Sequence, residues 1–280
     1  MRVTVNDIAG FKRRGEKFAM VTAYDYTSAV LADRAGLPLM LVGDSLGTVV
    51  QGRETTVGVT LDQMVYHCEM VARASRQAMV VGDLPFLTYA SVTDGLRSAG
   101  RLFAEGGVQA VKLEGAGASL AVIAALTERG LPVMAHLGYT PQSVHQFGRQ
   151  IVRGKTAGQA RALLADAVAC EQAGAFALVL ECVPAPLAAR VTAELRIATI
   201  GIGSGAETDG QVQVWHDLLG LCPDFTPRHA KQFAQLGEAA VAALTTYGEE
   251  VRAGGFPTDR QASNLPDETA RAVLQAVQSA

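Results

Sequence analysis

Short apolar runs alternate along the chain with longer amphipathic stretches. Each run is rich in β-branched side chains, which is the pattern of a strand buried on both faces. Eight runs have this character: Phe18–Ala23, Leu39–Gly43, Met79–Gly82, Ala110–Leu113, Val133–His136, Ala177–Leu180, Ala198–Ile202 and Val212–Trp215. Because strands of this kind belong to parallel sheets covered by helices, the pattern predicts an α/β fold with eight parallel strands.

The stretches between the runs have the spacing of helices that pack one face against a sheet. Four of them are clear, and several are followed by glycine, as helix C-termini often are: Leu61–Ser75, Thr93–Glu105, Leu120–Arg129 and Thr156–Ala173. Repeated strand–helix units join parallel strands by right-handed crossovers. Eight such units in 280 residues predict a closed (β/α)8 barrel, a TIM barrel, rather than an open sheet.

The two ends of the chain are expected to carry additional helices. Val3–Arg14 has the pattern of a leading N-terminal helix, and Asp267–Ser279 that of a terminal helix. We expect a single barrel domain over residues 1–280, in which residues 255–280 form a peripheral C-terminal extension.

One connection does not fit the barrel pattern. The stretch between Ile202 and Val212 holds barely a turn of helix, although a parallel crossover normally needs a dozen residues or more. Either the seventh helix is vestigial or the eighth strand is placed wrongly.

Composition and charge restrict the class of function. The formal net charge is −3, and there is no long basic block, so a nucleic-acid partner is not expected. No apolar run has the length of a membrane span, and the first residues carry no targeting pattern. The four cysteines form no CxxC pair, which suits a reducing compartment. We expect a cytoplasmic protein with small-molecule partners.

Ionisable side chains stand at the end of nearly every predicted strand. In a (β/α)8 barrel the catalytic groups lie where strands end and the following loops begin. The side chains at these positions are Tyr24, Asp25, Asp44, Ser45, Asp83, Lys112, Glu114, His136, Glu181, Ser204, His216 and Asp217. Lys112 and Glu114 lie two positions apart and therefore face the same side of their strand. The distribution predicts an active site at one mouth of the barrel.

Some of these residues have a purely structural alternative. Asp25 fits the N-cap of the helix that follows it. That alternative is weaker for Asp44, since a polar loop is expected after it, and for Asp83, which is followed by Leu84-Pro85-Phe86. Lys112 and Glu114 could form a structural ion pair.

Two aspartates from adjacent strands, with a glutamate nearby, favour a magnesium site. Mg²⁺ takes one or two carboxylates and keeps several waters, whereas zinc prefers Cys and His, of which only His136 stands nearby. A metal at Asp44 and Asp83 could chelate a 2-keto acid and polarise its ketone. Enolisation then needs a base, for which Glu181 is the remaining carboxylate, and Lys112 could neutralise the substrate carboxylate or the enolate.

The Gly201–Gly205 run is open to several interpretations. Glycine-rich turns after late barrel strands often bind phosphate. The same glycines could let the backbone approach another bulky ligand, or could only turn the chain.

Eight short motifs follow one another along the predicted strand ends. They are Thr22-Ala23-Tyr24-Asp25-Tyr26, Leu41-Val42-Gly43-Asp44-Ser45-Leu46-Gly47, Gly82-Asp83-Leu84-Pro85-Phe86, Val111-Lys112-Leu113-Glu114-Gly115, Ala135-His136-Leu137-Gly138, Thr140-Pro141-Gln142-Ser143-Val144, Leu180-Glu181-Cys182-Val183-Pro184 and Thr199-Ile200-Gly201-Ile202-Gly203-Ser204-Gly205. Their order and their residues resemble those of the ketopantoate (3-methyl-2-oxobutanoate) hydroxymethyltransferase family. The resemblance extends from about residue 5 to about residue 260.

The resemblance implies a barrel of the phosphoenolpyruvate/pyruvate superfamily that assembles as a homodecamer. It implies transfer of a hydroxymethyl group from 5,10-methylenetetrahydrofolate to 3-methyl-2-oxobutanoate in pantothenate biosynthesis. The same resemblance implies that Asp44 and Asp83 bind Mg²⁺, with Glu114 beside the metal. It implies that the keto acid contacts Asp44, Ser45, Asp83 and Lys112. Glu181 would be the proton acceptor, and His136 would have a supporting role.

Three segments depart from the family pattern. Residues 145–150 replace a Gly-Gly-Tyr-Lys-like stretch, residues 57–60 lack a common proline, and Phe256-Pro257 is followed by residues 258–260 instead of a Glu-His pair. None of the three touches the expected metal ligands or base, so the departures concern the folate side, loop rigidity and subunit packing.

Two other functions remain as alternatives. A lyase or mutase of the isocitrate-lyase type would use the same metal and enolate, although the chain lacks the Lys-Lys-Cys-Gly-His type loop of those lyases. A non-catalytic metabolite-binding barrel would not need a base, a lysine and metal-binding carboxylates at one mouth.

Overall fold

A computed structural model of the chain describes residues 1–148, 151–222 and 226–278. Eight parallel strands form a closed barrel in chain order. They are β1 (Phe18–Thr22), β2 (Leu39–Val42), β3 (Met79–Asp83), β4 (Ala110–Glu114), β5 (Val133–Gly138), β6 (Ala177–Glu181), β7 (Ala198–Ile202) and β8 (Gly210–Gln213). β8 pairs with β1 in parallel and completes the barrel. The predicted (β/α)8 fold is therefore confirmed.

Helices connect most of the strands and cover the outside of the barrel. They are α1 (Val5–Arg14), α2 (Tyr26–Arg34), α3 (Leu46–Val49), α4 (Leu61–Ala74), α5 (Val92–Ala104), α6 (Ala118–Thr127), α7 (Val144–Phe147), α8 (Ala157–Gln172), α9 (Ala185–Glu194), α10 (Trp215–Leu219), α11 (Leu236–Arg252) and α12 (Asp267–Gln278). Two single-turn 3₁₀ helices cover Thr56–Gly58 and Pro141–Ser143. Ser279, the last residue of the predicted terminal helix, lies outside the described residues.

The alternation of side chains along each strand separates two apolar layers. In β2, Leu39 and Leu41 face the barrel interior, whereas Met40 and Val42 face the helices. Ile8 of α1 is fully buried in the same cluster as the interior side chains, so α1 closes the amino-terminal end of the barrel. With that end filled by apolar groups, the carboxyl-terminal mouth is the end left for polar side chains.

Two details of the predicted elements were wrong. The eighth strand is Gly210–Gln213 rather than Val212–Trp215, and no helix lies between it and β7. The short connection works because Ile200 pairs directly with Gly210, next to which Phe18 fills the space that a side chain would take. Asp44 is followed by the one-turn helix α3 rather than by a loop alone.

The C-terminal helices lie away from the barrel. Only Gly237 is buried in α11, and no residue is buried in α12. Val241, Leu244 and Val251 of α11 are all exposed although they recur on one side of the helix. Across the described ranges, no helix combines the length and the apolar character that crossing a membrane requires.

A buried carboxylate at the end of α2 anchors the amino-terminal end of β3. Asp33 Oδ1 accepts hydrogen bonds from the backbone N–H groups of Gln77 and Ala78, both at 2.9 Å, and lies 3.4 Å from the hydroxyl of Ser75. Burial raises the pKa of Asp33, but these hydrogen bonds outweigh burial and hold the pKa below its ordinary value. The ionised carboxylate is therefore favoured by folding.

We expect the Asp33→Asn variant to lose about 1.5–3 kcal/mol of unfolding free energy at pH 7, the range for hydrogen bonds to a charged group. Since the folded-state pKa of Asp33 is lowered, this contribution is present above the unfolded-state pKa of about 3.9 and is lost as the pH falls through the folded-state pKa. Urea unfolding of both proteins between pH 3 and pH 7 measures the difference.

The matched control is Asp259→Asn, because Asp259 is exposed. That variant should unfold like the wild type at every pH. A difference between wild type and Asp33→Asn that stays constant down to pH 3 would contradict the role given to the charge.

Candidate active site

The predicted site residues surround one cavity at the carboxyl-terminal mouth of the barrel. Its volume is about 540 Å³. The side chains that line it include Asp44, Ser45, Asp83, Lys112, Glu114, His136 and Glu181, together with Tyr139, Asp217, Cys222 and His229. Five of the first set point inward because their positions in the strands alternate with those of outward-facing apolar residues: Asp83, Lys112, Glu114, His136 and Glu181. Asp44 and Ser45 follow the end of β2.

Lys112 and Asp83 form a buried ion pair across two neighbouring strands. The two residues are direct partners in the register of β3 and β4. Lys112 Nζ donates to Asp83 Oδ1 at 2.7 Å and to Oδ2 at 2.8 Å. Both side chains are at most 5 % exposed. Burial lowers the pKa of Lys112, but Asp83 and the other nearby carboxylates outweigh it and raise that pKa, so the ammonium stays charged.

Asp44 lies beside this pair, two residues beyond the end of β2. Its backbone N–H donates to Asp83 Oδ2 at 3.2 Å, and its Oδ2 accepts from Gln142 Nε2 at 2.8 Å. Burial, followed by repulsion from Asp83 and Glu114, raises the pKa of Asp44 well above its ordinary value. The carboxylate of Asp44 therefore lies close to the negative charges of Asp83 and Glu114, which disfavour its ionised form.

His136 lies between two glutamates. Its Nδ1 is 3.5 Å from Glu114 Oε1, and its Nε2 is 3.3 Å from Glu181 Oε2. Burial lowers the pKa of His136, but contacts with the two glutamates outweigh burial and raise it to about 9. A protonated imidazole can donate to one carboxylate on each side, so His136 connects β4 with β6.

The balance of charge in the cavity fits a divalent cation. Four carboxylates (Asp44, Asp83, Glu114 and Glu181) face two cationic side chains, Lys112 and protonated His136. Two negative charges remain in excess when all six groups are ionised. In the described part of the chain no three His, Cys, Asp or Glu side chains are grouped closely enough to hold an ion by themselves. Two carboxylates completed by water and substrate oxygens are the usual environment of Mg²⁺.

The hydroxyl of Ser45 is held at the cavity by Tyr24. Tyr24 Oη and Ser45 Oγ are 2.8 Å apart, and Tyr24 is only 2 % exposed. Tyr24 follows β1, so this contact joins the ends of β1 and β2. The neighbouring Asp25 does not take part in the site, because its carboxylate caps α2 through the backbone N–H of Ser28.

The turn after β6 fixes the backbone of Glu181. Ser204 Oγ accepts from the backbone N–H of Val183 at 3.1 Å and donates to the carbonyl of Leu180 at 2.7 Å. Cys182, between these two residues, has a φ of 51°, in the left-handed region that non-glycine residues rarely occupy. One serine therefore holds both sides of the glutamate that the sequence predicts as the base.

This arrangement explains the glycine-rich run that the sequence left open. Gly203 and Gly205 have φ values of 66° and 83°, and a side chain on Gly205 would lie 2.5 Å from the Cβ of Ala185. The glycines let the turn after β7 approach the turn after β6 and bring Ser204 to it. The glycine-rich motif is visible in the sequence, but this contact is not, because the contact joins two segments about 20 residues apart.

Comparison with known proteins places the whole chain in one group. The family model described as ketopantoate hydroxymethyltransferase matches residues 2–259. A 3-methyl-2-oxobutanoate hydroxymethyltransferase of Chloroflexus aurantiacus is 55 % identical over 98 % of this chain and 97 % of its own length. The enzyme of the same name from Gluconacetobacter diazotrophicus is 54 % identical over 98 % and 99 % of the two chains.

Solved structures of lower identity share the barrel. The phosphonopyruvate hydrolase crystallised with oxalate and Mg²⁺ superposes with a TM-score of 0.61 at 12 % identity, covering 99 % of this chain and 98 % of its own. The 2,3-dimethylmalate lyase, a PEP mutase/isocitrate lyase superfamily member, gives 0.58 at 18 % identity, covering 99 % and 100 %. Such identities show a common fold, so the alternative of a lyase reaction rests on the fold alone.

We expect Ser204→Ala to lose about 1–3 kcal/mol of unfolding free energy, because the buried N–H of Val183 loses its acceptor. The amide of Val183 should also exchange faster with solvent deuterium, since the turn after β6 is no longer held. Urea denaturation and hydrogen-exchange mass spectrometry measure the two effects.

Ser263→Ala serves as the control for this substitution, because Ser263 is exposed. An Ser204→Ala protein with wild-type stability and wild-type exchange around Val183 would show that Ser204 does not hold the turn.

Proposed function

The chain belongs to the ketopantoate hydroxymethyltransferase family, and on this premise we propose that it transfers a hydroxymethyl group from 5,10-methylenetetrahydrofolate to 3-methyl-2-oxobutanoate. The product would be 2-dehydropantoate, a precursor in pantothenate biosynthesis. The observation that carries this proposal is the convergence of the carboxylates, Lys112 and His136 on one cavity at the barrel mouth.

We assign the metal site to Asp44 and Asp83, with Glu114 beside it. Their buried oxygens and the excess of negative charge support Mg²⁺. When bound, Mg²⁺ supplies Lewis-acid polarisation of the ketone. The keto acid would contact Asp44, Asp83, Ser45 and Lys112, and the Lys112 ammonium would attract the negative charge of its carboxylate or enolate.

We assign the removal of the C3 proton to Glu181. Its carboxylate lies at the cavity, and its Oε2 contacts His136 Nε2 at 3.3 Å. His136 orients the carboxylate and accepts no proton itself while it is protonated. After Glu181 takes the proton, C3 forms a bond with the methylene carbon, and the bonds from that carbon to the two folate nitrogens break. Water supplies the hydroxyl group and one proton, and the proton that Glu181 took from C3 is the second, so both folate nitrogens end protonated.

The folate would enter from the side of Tyr139. The ring of Phe147 lies 6.0 Å from the ring of Tyr139, and the guanidinium of Arg153 lies 4.5 Å from the centre of the Phe147 ring. Flat heterocycles and carboxylates both suit such a surface. Arg149 and Gln150, in the segment that departs from the family pattern, lie outside the described residues.

We expect the enzyme to exchange the C3 proton of 3-methyl-2-oxobutanoate in D₂O when Mg²⁺ is present. Glu181→Gln should lower the exchange rate about 10²–10⁴-fold, the usual contribution of a general base, and should still bind the metal. Proton NMR of the keto acid follows exchange, and titration calorimetry measures metal binding.

Glu128→Gln is the control, because Glu128 is exposed on the outside of the barrel; its exchange rate should equal that of the wild type. Normal exchange by Glu181→Gln would assign the base to another residue. If the wild type shows neither metal-dependent exchange nor product with 5,10-methylenetetrahydrofolate, the proposed function is wrong.

We also propose that the chain forms a homo-oligomer, a decamer by its resemblance to the family. The support is the apolar side of α11, on which Val241, Leu244 and Val251 are exposed. Exposed apolar surfaces of this kind are typical of interfaces between chains. The four cysteines form no CxxC pair, which supports a reducing compartment, and we propose the cytoplasm.

We expect Leu244→Glu to shift the protein to smaller assemblies, because burial of a charge without a partner would oppose association. Sedimentation velocity measures the mass of the particle. Glu249→Gln, a change on the same exposed helix that introduces no charge, is the control. Wild-type protein that sediments as a monomer would contradict the oligomer.

A further inference from the structure

The side chain of Gln142 lies at the centre of the polar residues behind the cavity. It is 4 % exposed. Its Nε2 donates to Asp44 Oδ2 at 2.8 Å and to the carbonyl of Leu84 at 2.9 Å. Its Oε1 accepts from the hydroxyl of Tyr89 at 2.7 Å. Its backbone N–H donates to Glu114 Oε2 at 3.1 Å.

The partners of Gln142 allow only one orientation of its amide. Asp44 Oδ2 and the Leu84 carbonyl are both acceptors, so the NH₂ group must face them. The amide oxygen then faces Tyr89, whose hydroxyl donates to it and can accept from the backbone N–H of Glu114 at 3.3 Å. A rotated amide would direct its oxygen at two acceptors and lose both bonds.

The same contacts fix the orientation of Asp44. With Oδ2 bound to Gln142, Oδ1 has no hydrogen-bond partner among the residues that the structure describes. Asp44 lines the cavity, so the free oxygen is the one available there. Since Asp44 lies just beyond the end of β2, its own strand does not determine which oxygen faces inward.

We propose that Gln142, oriented by Tyr89, is a positioning residue that holds the carboxylate of Asp44 with Oδ1 directed at the metal site. This inference rests on the proposed function, because it concerns a carboxylate assigned there as a metal ligand. Residues that orient a ligating carboxylate usually change metal affinity or activity by about 10–100-fold when they are replaced.

The experiment measures binding of Mn²⁺, used in place of Mg²⁺ because its electron paramagnetic resonance signal reports free ion directly. The variants are Gln142→Leu, which removes the amide, and Tyr89→Phe, which removes only the hydroxyl that orients it. Titration without substrate gives the dissociation constant, and thermal unfolding of the metal-free proteins gives their stability.

Gln109→Leu is the matched control for loss of a hydrogen-bonded glutamine. Gln109 is half-buried, and its side chain bonds Arg2, the N–H of Val80 and the carbonyl of Gly107. It precedes β4 and therefore lies at the opposite end of the barrel from the cavity. This variant should lower Tm without changing the affinity for Mn²⁺.

We expect Gln142→Leu to raise the Mn²⁺ dissociation constant about 10–100-fold, and Tyr89→Phe to raise it by a smaller factor. A folded Gln142→Leu protein that binds Mn²⁺ within about twofold of the wild type would overturn the proposal, since that change is well below the 10–100-fold expected. If Gln142→Leu does not fold, an unchanged constant for Tyr89→Phe overturns it. Absence of Mn²⁺ binding by the wild type would instead overturn the metal site, and the inference with it.

Discussion

The buried pair of Lys112 and Asp83 is the interaction on which the mouth of the barrel depends. An ion pair with both side chains at most 5 % exposed costs more desolvation than its attraction returns, unless other polar groups complete it. Here the backbone N–H of Asp44 adds a hydrogen bond to Asp83, and the other carboxylates keep the lysine charged. The other charged side chains of the cavity are arranged around this pair, because each further buried charge needs a partner of its own.

The apolar part of the barrel makes this polar layer possible. Below the pair, Met79 and Val81 of β3 lie in the same buried apolar cluster as Ile8 of α1. Asp83, the last residue of β3, lies on the same inward side of the strand as these two residues. The stability of the fold thus comes from one end of the strands, and the chemistry from the other, as in barrels generally.

Much of this layer could be predicted from the sequence, because a strand alternates its side chains with a period of two. Lys112 and Glu114 share a side for this reason, and the end of each apolar run marks the mouth. The contacts of Gln142 and Ser204 could not be predicted in this way. Gln142 reaches Asp44 across 98 residues, and Ser204 reaches Val183 across 21, so neither contact leaves a local pattern. Local spacing also misplaced β8, whose start is set by pairing with β7.

Gln142 and Ser204, whose contacts local patterns do not predict, have separate tasks. Gln142 follows β5 and holds Asp44, on the side of the cavity that would bind a cation, whereas Ser204 follows β7 and holds the turn after Glu181, on the side that would move a proton. His136 connects the sides, since it contacts both Glu114 and Glu181. A site whose groups must stay fixed to within a fraction of an ångström needs such support from outside the reacting residues. Connections that follow β5 and β7 supply it here by contacting segments far away in sequence. The geometry of the mouth is therefore a property of the closed barrel rather than of any one strand.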